Sequence, residues 1–505
     1  MEEARQLRFT NPATGEQFGQ IPVATASEAQ QALCDMRVAF ETWSQKPVRE
    51  RARILGELQK VMIDASDEIS LVINQDTGKS RQDGLIELFM TLDLLQLYRK
   101  HGPKWLARRR VPRGLFLFKE CFVEQRPFGT VLVIAPWNYP FFLSMPPVLA
   151  ALLAGNTVVL KPSEVTAATG ALMERLFQRV PELASYVRVV HGDSEVGAAL
   201  VQAEPDFIFL TGSTKTGKLV AKAAGEKLIP ISCELGGKDA VIVLADADVK
   251  KAAHWITWGA FYNTGQTCMA VERVYVTEPV YDAFVREAVR VARKLKVGYS
   301  YEKKSPYYLG PMTDPRQLQI VNEHIEDALK KGARVLLQGK HHGMFIEPTV
   351  MVDVDHSMLL MQEETFGPIL PIVRVKDEEE AVRLANDSKF GLGASVWSRS
   401  RAHAERVASQ LNVGTLLIND VIAQIAVPAL PFGGTKHSGS GRIHGREGLL
   451  QFTQTRALAI STPPNPLDLA THLRRPGTYG LGETLMKLVF GVTPKQRMEP
   501  RAEGV

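Results

Sequence analysis

The chain has 505 residues, with 60 basic and 55 acidic side chains, a formal net charge of +5 and 45% apolar residues. This is the composition of an ordinary globular protein, long enough for two or more domains and a large core. The near-balance of charge gives no field that selects nucleic acid, and four scattered cysteines form neither a disulfide framework nor a paired CxxC metal motif.

The first residues, Met1-Glu-Glu-Ala-Arg5, are charged and carry no apolar signal region, so a cytoplasmic location is expected. Residues 25–100 predict helices with polar faces and periodic Leu, Ile and Met, as in 50–65 and 87–98. The run Arg108-Arg-Arg110 reads as solvated surface. Between Arg126 and Lys161 no residue is charged, which imitates a membrane span. Pro136, Pro140, Pro146 and Pro147 interrupt it and favour strand, loop, helix, turn and strand. Residues 131–135 and 157–160 are expected to be buried strands of a parallel sheet. Short apolar runs alternate with helical ones up to Val243, including 187–190 and 207–210, and a second alternation runs from Lys250 to Asn419. The pattern is that of two α/β units, the first doubly wound. Past Ser461, four prolines predict an extended tail and 481–490 a short amphipathic helix. Its expected role is packing on a neighbouring subunit, with membrane-surface attachment as the alternative.

Cys268 ends the sequence Asn263-Thr-Gly-Gln-Thr-Cys268, between a helical run over 248–262 that Gly265 would stop and a β-branched run over 271–276. An isolated cysteine is ordinarily a small buried hydrophobe. Here small and polar neighbours on a helix-to-strand connection favour a reactive thiol. Cys34, Cys121 and Cys233 lack such settings and are expected to be structural. Glu234-Leu-Gly-Gly237 is a second polar island: its carboxylate is a base for the thiol, or, taken alone, a solvated acid at a strand end. Residues 207–210 followed by Thr-Gly-Ser-Thr-Lys-Thr-Gly217 give a strand, a glycine turn and a helix start, the geometry that presents backbone N–H groups to phosphate. Gly212, Gly217 and Lys218 also fit a P-loop. Leu219, however, stands where the magnesium-ligating Ser or Thr belongs, so a nucleotide triphosphatase loses its chemistry. Lys161 and Glu164 follow directly on a strand, where doubly wound sheets bind ligands, although Lys-Pro-Ser-Glu is also an ordinary helix N-terminus. His341-His342 fits no zinc-ligand spacing, and no metal is expected.

Seven blocks then resemble, in order, the NAD(P)-dependent aldehyde dehydrogenase superfamily. They are Pro136-Trp-Asn-Tyr-Pro140, Lys161-Pro-Ser-Glu164, Phe209-Leu-Thr-Gly-Ser-Thr214 with Gly217, Glu234-Leu-Gly-Gly-Lys238, Gly265-Gln-Thr-Cys268, Glu364-Thr-Phe-Gly-Pro368, and Pro431-Phe-Gly-Gly434 with Ser438-Gly439. The resemblance implies an α/β architecture: a Rossmann-type cofactor domain over 1–107 and 127–236, an α/β catalytic domain over 237–440, a bridging β-sheet from 108–126 and 441–465, and a tail over 466–505. The bridging strands are expected to pair subunits into a homodimer or a dimer of dimers.

The resemblance also implies Cys268 as nucleophile, Glu234 as general base, and the Asn138 amide with the Cys268 backbone N–H as oxyanion donors. Dinucleotide contacts are implied at Ile134, Pro136, Trp137, Lys161, Ser163, Glu164, Gly212, Ser213, Gly217, Leu235, Gly236, Glu364 and Phe366. A carboxylate at Glu164 accepts bonds from ribose hydroxyls and repels a 2′-phosphate, so NAD is expected over NADP. The thiolate would add to an aldehyde, hydride would leave to the nicotinamide, and water would open the thioester with help from Glu234. A coenzyme-A-acylating relative would open it with a thiol instead. Tyr139, Phe142, Met269 and Phe432, with Phe141 and Met145 beside them, are candidates for an apolar substrate tunnel, although such residues beside buried strands are mostly core. A medium- or long-chain aliphatic or aromatic aldehyde is the expected substrate, and a semialdehyde or amino-aldehyde the next. The joint presence of Cys268, Asn138 and Glu234 argues against a non-catalytic scaffold.

Overall fold

The uncharged stretch after Arg126 folds as strand, helix and strand. In the computed structural model, which describes residues 5–114, 116, 119–461 and 477–491, Thr130–Ile134 and Thr157–Lys161 are adjacent parallel strands. Between them every residue of the helix Met145–Ala154 is buried, Pro146 and Pro147 sit in its first turn where no amide hydrogen is needed, and Gly155 ends it at φ 105°. Ten residues are half of what a bilayer requires, and no described helix is long and apolar enough to cross a membrane.

The chain divides into two units, Met1–Ala107 with Gln125–Gln454, and Arg108–Glu124 with Thr455–Val505. The larger contains two principal sheets. The first runs in the order Gly439–Ser440, Ile231–Glu234, Phe207–Thr211, Thr130–Ile134, Thr157–Lys161, Val187–Val189, parallel except for its first strand. The second runs Arg334–Leu337, Thr349–Val352, Ile369–Val375, Arg273–Thr277, Ala240–Val243, Gly393–Trp397, Thr415–Ile418, again parallel apart from its first strand. Central strands such as Ala240–Val243 and Arg273–Thr277 are buried throughout, which is why their sequences show unbroken β-branched runs rather than alternation. Four helices, Ala26–Trp43, Val48–Asp64, Ser66–Thr77 and Arg81–Trp105, account for the periodic N-terminal segment. Thr25 and Glu28 close a capping box on the first, and Ser80 caps the last.

In the smaller unit a three-stranded sheet orders Thr453–Ser461, Lys119–Pro127 and Arg109–Val111. The arginine run expected to be mere surface is therefore an edge strand: its backbone pairs antiparallel with Lys119–Pro127 while Arg109 and Arg110 remain exposed. Arg108 stacks 3.5 Å over the Phe122 ring, and Arg456 Nε donates to Glu124 at 3.0 Å. The amphipathic helix spans Thr478–Phe490, with no residue buried. The extended tail expected around the prolines falls outside the described residues.

Candidate functional site

The helix Val249–Phe261 begins at Asp248, whose side chain caps it, and runs into a 3-10 turn, Tyr262–Gly265. Asn263, Thr264 and Gly265 all have positive φ, at 50°, 58° and 74°. Asn tolerates this region, whereas a β-branched Thr there is an outlier of the kind that clusters at functional sites. At Gly265 any β-carbon would lie 2.2 Å from the Gly367 carbonyl oxygen, so only glycine fits. The polar residues of the motif are committed to holding this turn. Gln266 donates to the carbonyls of Asn263 and Pro311 and accepts the Thr313 amide at 2.8 Å; Thr264 bonds the Gly310 carbonyl at 3.0 Å; and Thr267 Oγ1 lies 2.8 Å from Tyr139 Oη.

The turn delivers Cys268 to a place where two cavities meet. One, of about 650 Å³, is lined by Tyr139, Phe142 and Met269 as expected. Ile86, Met90, Trp258, Phe261, Tyr262, Tyr307, Tyr308, Ile422 and Ile425 add to its walls. Its one charged lining residue is Asp83, bonded to Ser80 Oγ at 2.6 Å, with its carboxyl pushed up by burial. The other cavity, of about 130 Å³, is lined by Pro136, Trp137, Asn138, Gly212, Ser213, Glu234, Leu235, Gly236, Glu364, Phe366 and again Cys268. Phe432 belongs to this second cavity and not to the apolar one, while Phe141 and Met145 are wholly buried core.

Asn138 is held from both sides. Its side-chain amide donates to the Gln266 carbonyl at 3.1 Å, and its own carbonyl accepts from Asn263 Nδ2 at 3.3 Å and from Lys79 Nζ at 2.7 Å. Lys79 is only 3% exposed and pairs at 2.8 Å with Glu87, which is fully buried. The second Glu87 oxygen accepts the Phe141 and Phe142 amides. Sequence reasoning missed this pair, because a lysine and a glutamate on periodic helices look like solvated charges. The available signal was their common segment, Lys79 just ahead of the Ser80 cap and Glu87 on the apolar side of the helix.

Glu234 ends its strand 4% exposed, with neither carboxylate oxygen hydrogen-bonded among the described residues. Burial pushes its carboxyl far above the usual range, opposed by the Arg442 cation. The Cys268 thiol is pushed up in the same way, by burial first and then by Asp239, Glu364 and Glu234. Glu364 accepts the Gly237 amide at 2.9 Å and is raised to about 8 by burial and by the neighbouring Glu272. Glu272 in turn accepts the Thr365 and Phe366 amides at 2.8 and 2.9 Å and pairs with buried Lys238, so it pins the loop that carries Glu364. Gly236 and Gly237 are required by close approach. A β-carbon on the first would meet the Glu364 carboxylate at 2.2 Å, and one on the second the Cys268 carbonyl at 2.5 Å.

The remaining expected contacts lie along the carboxyl edge of the first sheet. Ile134 and Lys161 are register partners at the strand ends. Lys161 Nζ lies 3.1 Å from Glu164 Oε2, and Ser163 Oγ accepts the Val165 amide. Ser213 caps the helix Thr214–Glu226 by accepting the Thr216 amide at 3.2 Å. A β-carbon on Gly217 would stand 2.6 Å from Leu235, which sets how closely this helix approaches the following strand end. Leu219 is an exposed side chain on that helix, so nothing there supplies the hydroxyl of a P-loop. The Trp137 and Phe366 rings meet edge to face at 5.5 Å in the smaller cavity. Aromatic walls, a helix N-terminus and an unpaired buried carboxylate are a donor and acceptor set that fits a dinucleotide.

The model of the aldehyde dehydrogenase family matches residues 1–458. The chain is 44% identical over 450 residues to the 4,4′-diapolycopene aldehyde oxidase of Methylomonas sp, covering 88% of this chain and 84% of that one. It is 36% identical over 466 residues, 91% and 90% of the two chains, to a Mycolicibacterium smegmatis protein named "Putative succinate-semialdehyde dehydrogenase (NADP(+))". The solved structure of betaine aldehyde dehydrogenase from Staphylococcus aureus in complex with NAD+ is 28% identical, with a TM-score of 0.87 over 92% of this chain and 93% of that one. The chain belongs to the aldehyde dehydrogenase family.

Proposed function

We propose that the protein oxidises a medium- or long-chain apolar aldehyde to its carboxylic acid, with NAD preferred over NADP. The observation that carries this reading is the position of Cys268, whose side chain lines both the apolar cavity and the cavity of Glu234, Trp137 and Glu364. An aldehyde approaching through the first meets the thiol at its inner end. Addition of the Cys268 thiolate makes the carbonyl carbon tetrahedral, and the Asn138 amide and Cys268 N–H stabilise the oxyanion. Glu234 takes the thiol proton and later activates the water that opens the thioester; its raised affinity for protons suits a base that must pick one up and release it again. Bound NAD supplies the hydride acceptor. The Gly212–Ser213 turn and the helix start behind it would hold its phosphates, Lys161 and Glu164 the adenosine ribose, and Glu364 the nicotinamide ribose.

The substrate class follows from charge. Succinate semialdehyde carries a carboxylate, and the apolar cavity offers it no lysine, arginine or histidine and one acid, Asp83. An uncharged chain fits, and the relative named for a diapolycopene aldehyde points the same way. A cavity of about 650 Å³ lies within the range for a sizeable organic ligand. We assign the first sheet to a cofactor domain, the second to a catalytic domain, and the three-stranded sheet to subunit pairing in a homodimer or a dimer of dimers. The reading is tested by NADH formation without coenzyme A across aliphatic, aromatic and charged aldehydes. Decanal and aromatic aldehydes should exceed succinate semialdehyde in kcat/KM, and Cys268→Ala should be silent. A preference for the charged aldehyde would overturn it.

A further inference from the structure

The rim of the apolar cavity has a distinctive surface. On the helix Arg81–Trp105, Ile86 and Met90 line the cavity, and the adjoining positions Leu85 and Phe89 face solvent, Phe89 by 69%. Another wall comes from residues 293–309, which contribute Leu295, Tyr307 and Tyr308, the last 66% exposed. This same segment, Arg293-Lys-Leu-Lys-Val-Gly-Tyr-Ser-Tyr-Glu-Lys-Lys-Ser-Pro-Tyr-Tyr-Leu309, has five exposed cations, at 293, 294, 296, 303 and 304, against one acid, Glu302. Large apolar side chains gathered at one rim mark an interaction surface, and aromatic rings interleaved with lysine suit the headgroup level of a bilayer.

We propose that this rim docks on an anionic lipid surface, so that an apolar aldehyde passes from the bilayer to Cys268 without crossing water. The inference rests on the apolar-aldehyde reading. Each methylene favours hydrocarbon over water, so a substrate that fills such a cavity resides in lipid. A second copy of the chain is a poorer occupant, because a two-fold contact would set the same cationic segment against itself. Phosphate headgroups offer the opposite charge.

The test uses full-length protein sedimented, without substrate, with vesicles of phosphatidylcholine alone or of equal parts phosphatidylcholine and phosphatidylglycerol. Wild type should pellet with the anionic vesicles and be released by salt. Two double variants, Leu85→Ser with Phe89→Ser and Lys294→Gln with Lys304→Gln, alter residues outside the cavity lining. Removing two lysine charges should weaken partition about 30-fold. Both variants should keep the wild-type kcat/KM for dissolved hexanal but lose turnover of decanal supplied in vesicles. Wild type that stays in solution overturns the proposal. Variants that pellet like wild type also overturn it, because attachment then lies elsewhere, as on the exposed helix Thr478–Phe490. A dimer lost in the variants without vesicle binding gives the rim to a second copy. None of these outcomes touches the apolar-aldehyde reading, which the soluble aldehyde panel judges separately.

Discussion

Lys79 Nζ donates to the Asn138 carbonyl oxygen at 2.7 Å. The same ammonium pairs with buried Glu87, whose other oxygen takes the Phe141 and Phe142 amides, so one ion pair fixes the backbone that carries the proposed oxyanion donor and a wall of the apolar cavity.

Lys79→Met leaves Glu87 buried and uncompensated and should lower stability by about 3–5 kcal/mol. Adding Glu87→Gln should restore much of the lost Tm but not kcat, since the Asn138 carbonyl still lacks its anchor. Thermal melts beside steady-state kinetics make the comparison. Full recovery of kcat in the double variant would show that the pair acts only on stability.

Asn138→Ala should reduce kcat by about 10²–10³, the loss of one oxyanion donor, with little change in KM. An unchanged kcat would move that role to other groups. Cofactor binding, followed by quenching of tryptophan fluorescence, should be retained.

The buried acids give opposite pH trends for rate and stability. Cys268 and Glu234 both hold their protons more tightly than usual, so kcat/KM should climb as pH rises through the alkaline range and frees their basic forms. Asp239, raised to about 7, and Glu364, raised to about 8, bind protons in the folded state that the unfolded chain releases. Their contribution to stability is complete below the ordinary carboxylate range and is lost as pH rises to about 8. Tm should therefore fall over the interval in which kcat/KM grows. Glu364→Gln should flatten the fall in Tm, and an unchanged slope would contradict the assignment.

Much of this was legible in the sequence, for identifiable reasons. Strands such as Thr130–Ile134 and Phe207–Thr211 are buried on both faces, so their β-branched runs stand out. Cys268 stood out because a strained turn needs Asn, Gly and Gln where a core would place apolar residues. Long-range pairings were not legible. Lys79 with Glu87, and Lys238 with Glu272, look in sequence like any solvated charges, and only the fold shows that each sits under a functional loop. Phe432 and Met145 could not be sorted by type, since an aromatic or a methionine beside a strand looks the same whether it faces a cavity or the core. Arg109–Val111 was hidden because an exposed edge strand has no apolar face to betray it.

Cofactor choice depends on Glu164. Its carboxylate, 3.1 Å from Lys161, is placed to accept ribose hydroxyls and to repel a 2′-phosphate, and NAD should exceed NADP in kcat/KM by about tenfold or more. Glu164→Thr should narrow the ratio chiefly by improving NADP. Comparable values for the two cofactors in the wild type would remove Glu164 from this role.

The most direct test is the intact mass of Glu234→Gln after mixing with NAD and decanal. With the base removed, the acyl group should remain on the enzyme: one decanoyl increment, mapped to Cys268 and absent from Cys268→Ala, beside a single-turnover burst of NADH. Unmodified protein that nevertheless forms NADH at the wild-type rate would contradict both the thioester and the role of Glu234.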